Sequence, residues 1–283
     1  MAILSLAVGA RKVRAAIIDE NYTVTAFAGT DVECKESPVA CAADLALGLL
    51  EKENVAKADI VFVGAAVCTC AGDADSIAAE LELKLGMPVK ATSSINALTL
   101  GEAFVNAGDV SSAIVMKFCE DKIESGIVLD RKIFANYAKI GGGLGHTVIN
   151  NGGYKCSCGR TGCLEAYTTS AGIRHIAGDA GSSHTTLSAI FDAADRGDEA
   201  AIAAKNAYVS HLACGLTNVI NLFQPHELII MGELTALGDR LMAPLMDIVL
   251  REQYTKHSPN KGKVRFSAPD PKVVLVGAAL LGR

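Results

Sequence analysis

Three cysteines and a histidine crowd one glycine-rich stretch, GGGLGHTVINNGGYKCSCGRTGCLE (141–165), as His146, Cys156, Cys158 and Cys163. Thiolate and imidazole are the donors a borderline-soft ion such as zinc prefers, four of them in a tetrahedron. Cys156 and Cys158 bracket one residue, Gly159 and Gly162 permit the turn that returns Cys163, and His146 completes the set from the end of a preceding strand. Four protein ligands close the coordination sphere, which makes such a site structural and not catalytic. The alternative is a glycine-rich loop of free thiols. Cys34, Cys41, Cys119 and Cys214 are dispersed and read as small buried hydrophobes. Cys68 and Cys70 form a C-T-C pair after the apolar run IVFVGAAV. Two positions apart on a strand they would stand roughly 7 Å from each other, so these two act together only across a turn, and with no further ligand nearby neither metal nor redox work is assigned to them.

Composition bounds the rest. The chain has 283 residues, is half hydrophobic, and carries a net charge of −5. Its pI is about 5.7, so it has no electrostatic footprint for nucleic acid or a membrane surface. The opening MAILSLAVGARK is apolar before it is basic, the reverse of a secretion signal. No apolar run approaches the ~18 residues that span a bilayer. A cytoplasmic protein is expected, and for one the odd number of cysteines, nine, favours metal binding or buried thiols over a disulfide framework. Aromatics are 5% and tryptophan is absent, which leaves little for a lectin-type stacking site.

The elements that must position these residues begin the same way twice. Residues 2–8, 12–19 and 23–28 read as a meander of three short strands, and 111–118, 123–130 and 132–135 repeat it, with Cys119-Glu120-Asp121-Lys122 as a turn. Helices and strands alternate after the first meander: helix 40–53, strand 59–66, helix 73–85, strand 88–92, helix 95–106. The second half continues with helices over 164–177, 187–195 and 198–222, strand 227–231, helix 238–253, strand 264–268 and a closing helix from Pro271. A meander followed by alternating elements, used twice, predicts an α/β protein of two lobes with a cleft between them. The lobes are expected at 1–108, joined by the closing helix 271–283, and at 109–270, which carries the cysteine motif.

The pattern G-H…C-x-C-G-x-x-G-C-L-E resembles the signature of the ROK family, the repressors, open reading frames and sugar kinases. NLFQPHELIIMGE (221–233) and VLVGAALLGR (274–283) are similar to other segments of that family, so the resemblance covers the whole chain. It implies a two-lobed actin-like ATPase, or sugar-kinase (ribonuclease H-like), fold. It also implies one structural zinc on His146, Cys156, Cys158 and Cys163, a sugar ligand, and a homodimer or homotetramer.

Four motifs of the family's kinases are altered. A kinase needs a carboxylate to take the proton of the attacking hydroxyl and backbone N–H groups to cradle the polyphosphate. The first phosphate hairpin, D-x-G-G-T-K in the family, is Ala7-Val8-Gly9-Ala10-Arg11-Lys12 here. The second, G-T-G-x-G-x-G, falls on 118–126, where Gly126 alone survives and Glu120-Asp121 would repel a triphosphate. The catalytic segment P-V-x-V-E-N-D-A-N-A falls on 88–97 without a gap, placing Ser94 where the general base belongs. The adenosine-side G-G is Gly232-Glu233. On the sugar side the resemblance leaves Ser93, Asn96, His146 and Glu165, with Gly143 in place of a glutamate. Glu165 reads equally as a sugar-binding carboxylate or as a helix N-terminal acid.

The expected function is therefore a non-catalytic carbohydrate-binding or regulatory protein of sugar-kinase fold, without ATP or magnesium. One alternative is an ATP-dependent kinase of a hexose or amino sugar, with Asp73 or Asp121 as an out-of-register base. The other is a regulator-like sugar sensor without its own helix-turn-helix, and so without direct contact to nucleic acid.

Overall fold

The computed structural model describes residues 1–32, 37–134, 142–258 and 262–283. Cys34, Ala135 and Gly141 lie outside them. Two compact units result, one of residues 1–114, 126–141 and 269–283, the other of 115–125 and 142–268.

In the first, strands β1 (Ala2–Val8), β2 (Lys12–Ile18) and β3 (Val24–Asp31) form the meander, and β4 (Ile60–Val67) and β5 (Val89–Ser93) extend it. The sheet order is β3-β2-β1-β4-β5, with β2 antiparallel to β1 and β3, and β4 parallel to both β1 and β5. Parallel strands need crossovers, and helices supply them: α1 (Pro38–Lys52), capped by Ser37, and α2 (Ala74–Leu85), capped by Asp73. Leu49, Leu50, Ile77, Leu81 and Leu85 from these helices pack on Leu4, Leu6, Val8 and Val63 in one core layer. The helix α9 (Pro271–Ala279) packs Leu275, Val276 and Ala279 against Ala16 and Ile18 in another. Covered on both faces, β4 reads as a nearly unbroken apolar run.

Helix α3 (Ser94–Gly101) lies against α9 closely enough to demand glycine. A Cβ on Gly277 would stand 1.7 Å from the Ala97 carbonyl oxygen, and one on Gly101 would stand 2.0 Å from that of Val273. The helix expected over 95–106 is not one α-helix: Glu102–Asn106 widens into a π-type turn.

The second sheet has the order β10-β9-β6-β7-β8, built from β6 (Ala113–Phe118), β7 (Ile123–Leu129), β8 (Lys132–Ile133), β9 (Glu227–Gly232) and β10 (Lys263–Phe266). Counted from its own first strand this repeats the order of the first sheet, so the doubled meander of the sequence is a doubled topology.

The helix expected over 164–177 is two, α4 (Glu165–Thr168) and α5 (Ser170–Asp179), separated by extended Thr169 (ψ 169°). The break lets Gly172 fold back on Ala166 and Tyr167, where a Cβ would lie 2.3 Å from the Ala166 carbonyl oxygen. Helices α6 (Leu187–Asp195), α7 (Glu199–Phe223) and α8 (Asp239–Glu252) complete this unit, and α7 buries Tyr208, Leu212, Leu216 and Ile220. No helix among the described residues is long and apolar enough to cross a membrane.

Candidate functional site

His146, Cys156, Cys158 and Cys163 come together. Their ligand atoms all lie within 4.8 Å of one another, with Cys158 Sγ 3.7 Å from Cys163 Sγ and Cys156 Sγ 3.5 Å from His146 Nδ1. Tetrahedral bonds of about 2.3 Å give edges of about 3.8 Å, so these separations suit four donors around one metal ion. The chain reaches this shape through backbone bonds. Gly159 N–H donates to the Cys156 carbonyl at 3.0 Å, and Cys156 N–H donates to that of Arg160 at 2.9 Å. Gly162, at φ +81°, runs so close to Asn150 that a Cβ would sit 1.8 Å from its carbonyl oxygen. Burial, and next the Cys158 sulfur, push the Cys163 thiol up to about 12, whereas the Arg160 backbone N–H draws Cys158 down.

Two residues that the cysteine spacing did not single out tie this knuckle to its surroundings. The Tyr167 hydroxyl accepts from Asn150 Nδ2 at 2.9 Å and from the Tyr154 N–H at 3.1 Å, and the Tyr154 and Tyr167 rings stack at 4.5 Å. The Ser157 hydroxyl donates to Glu165 Oε1 at 2.9 Å, while Glu165 Oε2 accepts the Ile123 N–H at 2.9 Å. Glu165 is buried, and its Oε1 lies 3.7 Å from His146 Nδ1. The carboxylate therefore joins the cysteine loop to the start of β7. The aromatic content at 154 and 167 was the only sequence signal for the first link, and nothing local signalled the second.

The other sequence-derived residues sit elsewhere. In parallel register Val8 pairs with Val67 and Val67 with Ser93, so Gly9, Cys68 and Ser94 follow one another along the carboxyl edge of the first sheet. That edge is where ligands of open α/β sheets bind. Ser93 caps α3, its hydroxyl accepting the Asn96 N–H at 3.4 Å. Asn96 is buried; its Nδ2 donates to Thr92 Oγ1 at 3.3 Å and its Oδ1 has no partner. Ser94 is half-buried, and Asp73 caps α2 through bonds from the Ser76 N–H and hydroxyl. Gly126, the survivor of the second hairpin motif, is required by packing, since a Cβ there would lie 2.1 Å from Thr99 Oγ1.

The turn at 119–122 is closed by Cys119 N–H to the Lys122 carbonyl at 2.9 Å. It borders a cavity of about 510 Å³ lined by Cys119, Glu120, Arg174, Tyr208, Glu233 and Arg240 among others. The Tyr208 hydroxyl is buried without a partner, and burial raises its pKa. The dispersed Cys41, Cys119 and Cys214 are half-buried, not the fully buried hydrophobes expected, and burial raises the Cys119 and Cys214 thiols. A further correction concerns Cys68 and Cys70: a turn after β4 brings them together, and they are disulfide-bonded.

Comparison with known proteins settles the family. The sequence profile of the ROK family matches residues 63–282. The chain belongs to the ROK family. A glucokinase of Halalkalibacterium halodurans is 29% identical over 181 residues, 59% of this chain and 55% of that one. A xylose repressor of Caldicellulosiruptor bescii is 25% identical over 211 residues, 70% of this chain and 52% of that one. The chain thus spans about half the length of the curated relatives it matches. Among solved structures, the ROK hexokinase from Thermus thermophilus superposes with a TM-score of 0.83 at 22% identity, covering 99% of this chain and 97% of that one. The ROK fold of this chain is accordingly the α/β actin-like ATPase fold of the sugar kinases.

Proposed function

We propose that this ROK protein binds a carbohydrate without phosphorylating it, around a structural zinc. The observation that carries the reading is Ser94 on the carboxyl edge of the first sheet, where the family resemblance puts the general base. A serine hydroxyl does not accept a proton at neutral pH, and losing a general base typically costs about 10²–10⁴ in rate. Of the two alternative bases named from the sequence, Asp73 is committed to capping α2. On the nucleotide side, Glu120 and Glu233 line the cavity in unit two in place of family glycines and weaken its fit to a polyphosphate, against Arg174 and Arg240 in the same lining.

Zinc is assigned to His146, Cys156, Cys158 and Cys163 because one imidazole and three thiolates form a closed, soft donor set of the right spacing. It would supply folding energy there and no chemistry. Of the sugar-binding residues that the resemblance implies, Ser93 and Asn96 lie in the first unit and His146 and Glu165 in the second; the orphan Asn96 Oδ1 supports a ligand donor at that point. Glu165 supports the structural reading more strongly than the sugar-binding one, since each of its oxygens already accepts a hydrogen bond. A homodimer or homotetramer belongs to the same proposal.

A second reading, an ATP-dependent hexose or amino-sugar kinase, is favoured by the comparisons, in which relatives carry the names glucokinase and N-acetyl-D-glucosamine kinase. On similarity alone it stands ahead of the first; the residues at 7, 94, 120–121 and 233 argue for the first. A regulator-like sugar sensor, supported by the xylose repressors among the relatives, shares the binding step of the first reading. The deciding experiment is calorimetry of the zinc-replete chain with MgATP and with a panel of hexoses and amino sugars, alongside a coupled kinase assay. Sugar binding with no nucleotide binding and no turnover supports the proposal; robust ATP-dependent phosphorylation replaces it with the kinase.

A further inference from the structure

Cys68 and Cys70 are joined across the single residue Thr69, in the one disulfide among the described residues. The same segment is already closed by a backbone turn, the Ala71 N–H donating to the Cys68 carbonyl at 2.8 Å. Disulfide stabilisation grows with the length of chain the bond closes. A bridge over one residue, inside a hydrogen-bonded turn, therefore adds little to folding, and a staple does not account for it.

Three observations suit the pair to exchange instead. Cys70 is exposed while Cys68 is half-buried, so an incoming thiolate reaches one sulfur in preference to the other. The Cys70 backbone N–H donates to Cys68 Sγ at 3.3 Å, so charge developing on Cys68 as it leaves meets a donor. The turn is also anchored in the ligand edge: the Cys68 N–H donates to the Val8 carbonyl at 2.8 Å, directly before Gly9.

We propose that Cys68–Cys70 is a reversible thiol–disulfide exchange site for a dithiol reductant, set in the carboxyl edge of the first sheet between Gly9 and Ser94. A reductant thiolate attacks Cys70 Sγ, the Cys68–Cys70 bond breaks, and its electron pair leaves on Cys68 as a thiolate, which takes a proton. The second thiol of the reductant, deprotonated, then attacks the reductant's own sulfur in the mixed disulfide. Cys70 leaves as a thiolate and is protonated. The reductant departs as a disulfide, two electrons poorer, and the protein holds two thiols. The reverse sequence, with an oxidised dithiol, restores the bond. The site is independent of whether the chain binds sugar or transfers phosphate.

The tryptic fragment 58–84, between Lys57 and Lys84, contains Cys68 and Cys70 and no other cysteine. The folded, zinc-replete chain is equilibrated with dihydrolipoamide and lipoamide in varied ratio, alkylated, digested and weighed. The fragment should pass reversibly between zero and two alkyl groups without denaturant. Oxidised glutathione should add to Cys70 of Cys68→Ser at least about tenfold faster than to Cys68 of Cys70→Ser, since exposure governs access. A fragment with two thiols at every ratio, or a disulfide that opens only in denaturant, overturns the proposal. Equal rates in the two variants overturn the assignment of Cys70 as the attacked sulfur. Should either variant fail to fold, the titration of the unmodified chain decides alone.

Discussion

At the His146 cluster the candidate ligands are woven into the backbone, whereas along the edge of the first sheet the corresponding positions are filled by capping and packing residues. Cys156 both offers a sulfur and takes part in two backbone bonds of the knuckle, and Glu165 beside it accepts from Ile123 and Ser157. Exchanging Glu165 removes fold contacts outright, whereas exchanging Cys156 removes its sulfur and leaves its backbone bonds in place. Ser93 and Ser94 carry no such double duty toward a reacting group: Ser93 caps α3, and Ser94 begins the helix half-buried. A catalytic carboxylate is replaceable there without loss of fold, because no backbone group depends on it. If the cluster holds a metal, it and its supports stand or fall together, while an edge of capping residues keeps its shape whichever group stands at position 94.

The largest test of that contrast is metal removal. Purified protein should hold about one zinc per chain, and Cys163→Ser, or a strong chelator, should lower stability by at least ~3 kcal/mol, since binding energy at such a site is folding energy. For a chain of this size that is of the order of 10 °C in melting temperature. An unchanged melting curve for the metal-free protein would break the comparison on its stronger side.

Next in size is Glu165→Ala. It leaves the buried Ile123 N–H without its acceptor, at a cost of about 1–3 kcal/mol, while the exposed Ser157 hydroxyl turns to water. Denaturant unfolding should show a loss in that range with the zinc retained. A variant of full stability that loses only sugar binding would make Glu165 a ligand residue instead.

Ser94→Asp tests the weaker side. The edge should accept the carboxylate with less than ~1 kcal/mol of change, and no kinase activity should appear, because the turn at 119–122 still presents Glu120 and Asp121 in place of a glycine hairpin. Phosphorylation gained by this one substitution would show that the phosphate site had been intact.

The smallest effect belongs to a surface pair of the first unit. Arg283 meets Asp109 through two bonds of 3.0 Å, and that hydrogen-bonded guanidinium holds the Asp109 carboxyl below its ordinary value. A carboxyl lowered on folding contributes stability above its unfolded pKa and loses it as pH falls through the folded one. Since both groups are partly exposed, the contribution is less than ~1 kcal/mol. Arg283→Ala should lower stability slightly at neutral pH, and the difference from the unmodified chain should vanish as pH falls well below 3.8, the ordinary aspartate value.

Much was legible in the residues themselves. Short apolar runs between turn residues, alternating or, in β4, nearly unbroken, placed each strand among the described residues to within a few positions, because a strand's burial pattern is written locally. The ligand set was legible for a similar reason: His146, Cys156, Cys158 and Cys163 are close in sequence, and soft donors among glycines have few other uses. The departures at Ala7, Ser94 and Glu233 were legible because framing residues such as Pro88 and Asn96 held the register.

Other features depended on contacts between distant parts of the chain. The break at Thr169 accompanies the close approach of Gly172 to Ala166, and no local propensity at 164–177 announces it. The role of Glu165 is decided by the Ile123 N–H, which lies 42 positions away in the chain. Cys68 and Cys70 would share one face of a strand yet stand roughly 7 Å apart along it, and the turn after Val67 brings their sulfurs together. Local pattern determines which elements form and which donors are on offer, because both follow from neighbouring residues. Whether a given side chain is free to act, capped, or tied to another segment is set only when the tertiary structure brings its partners within about 3 Å, the reach of a hydrogen bond.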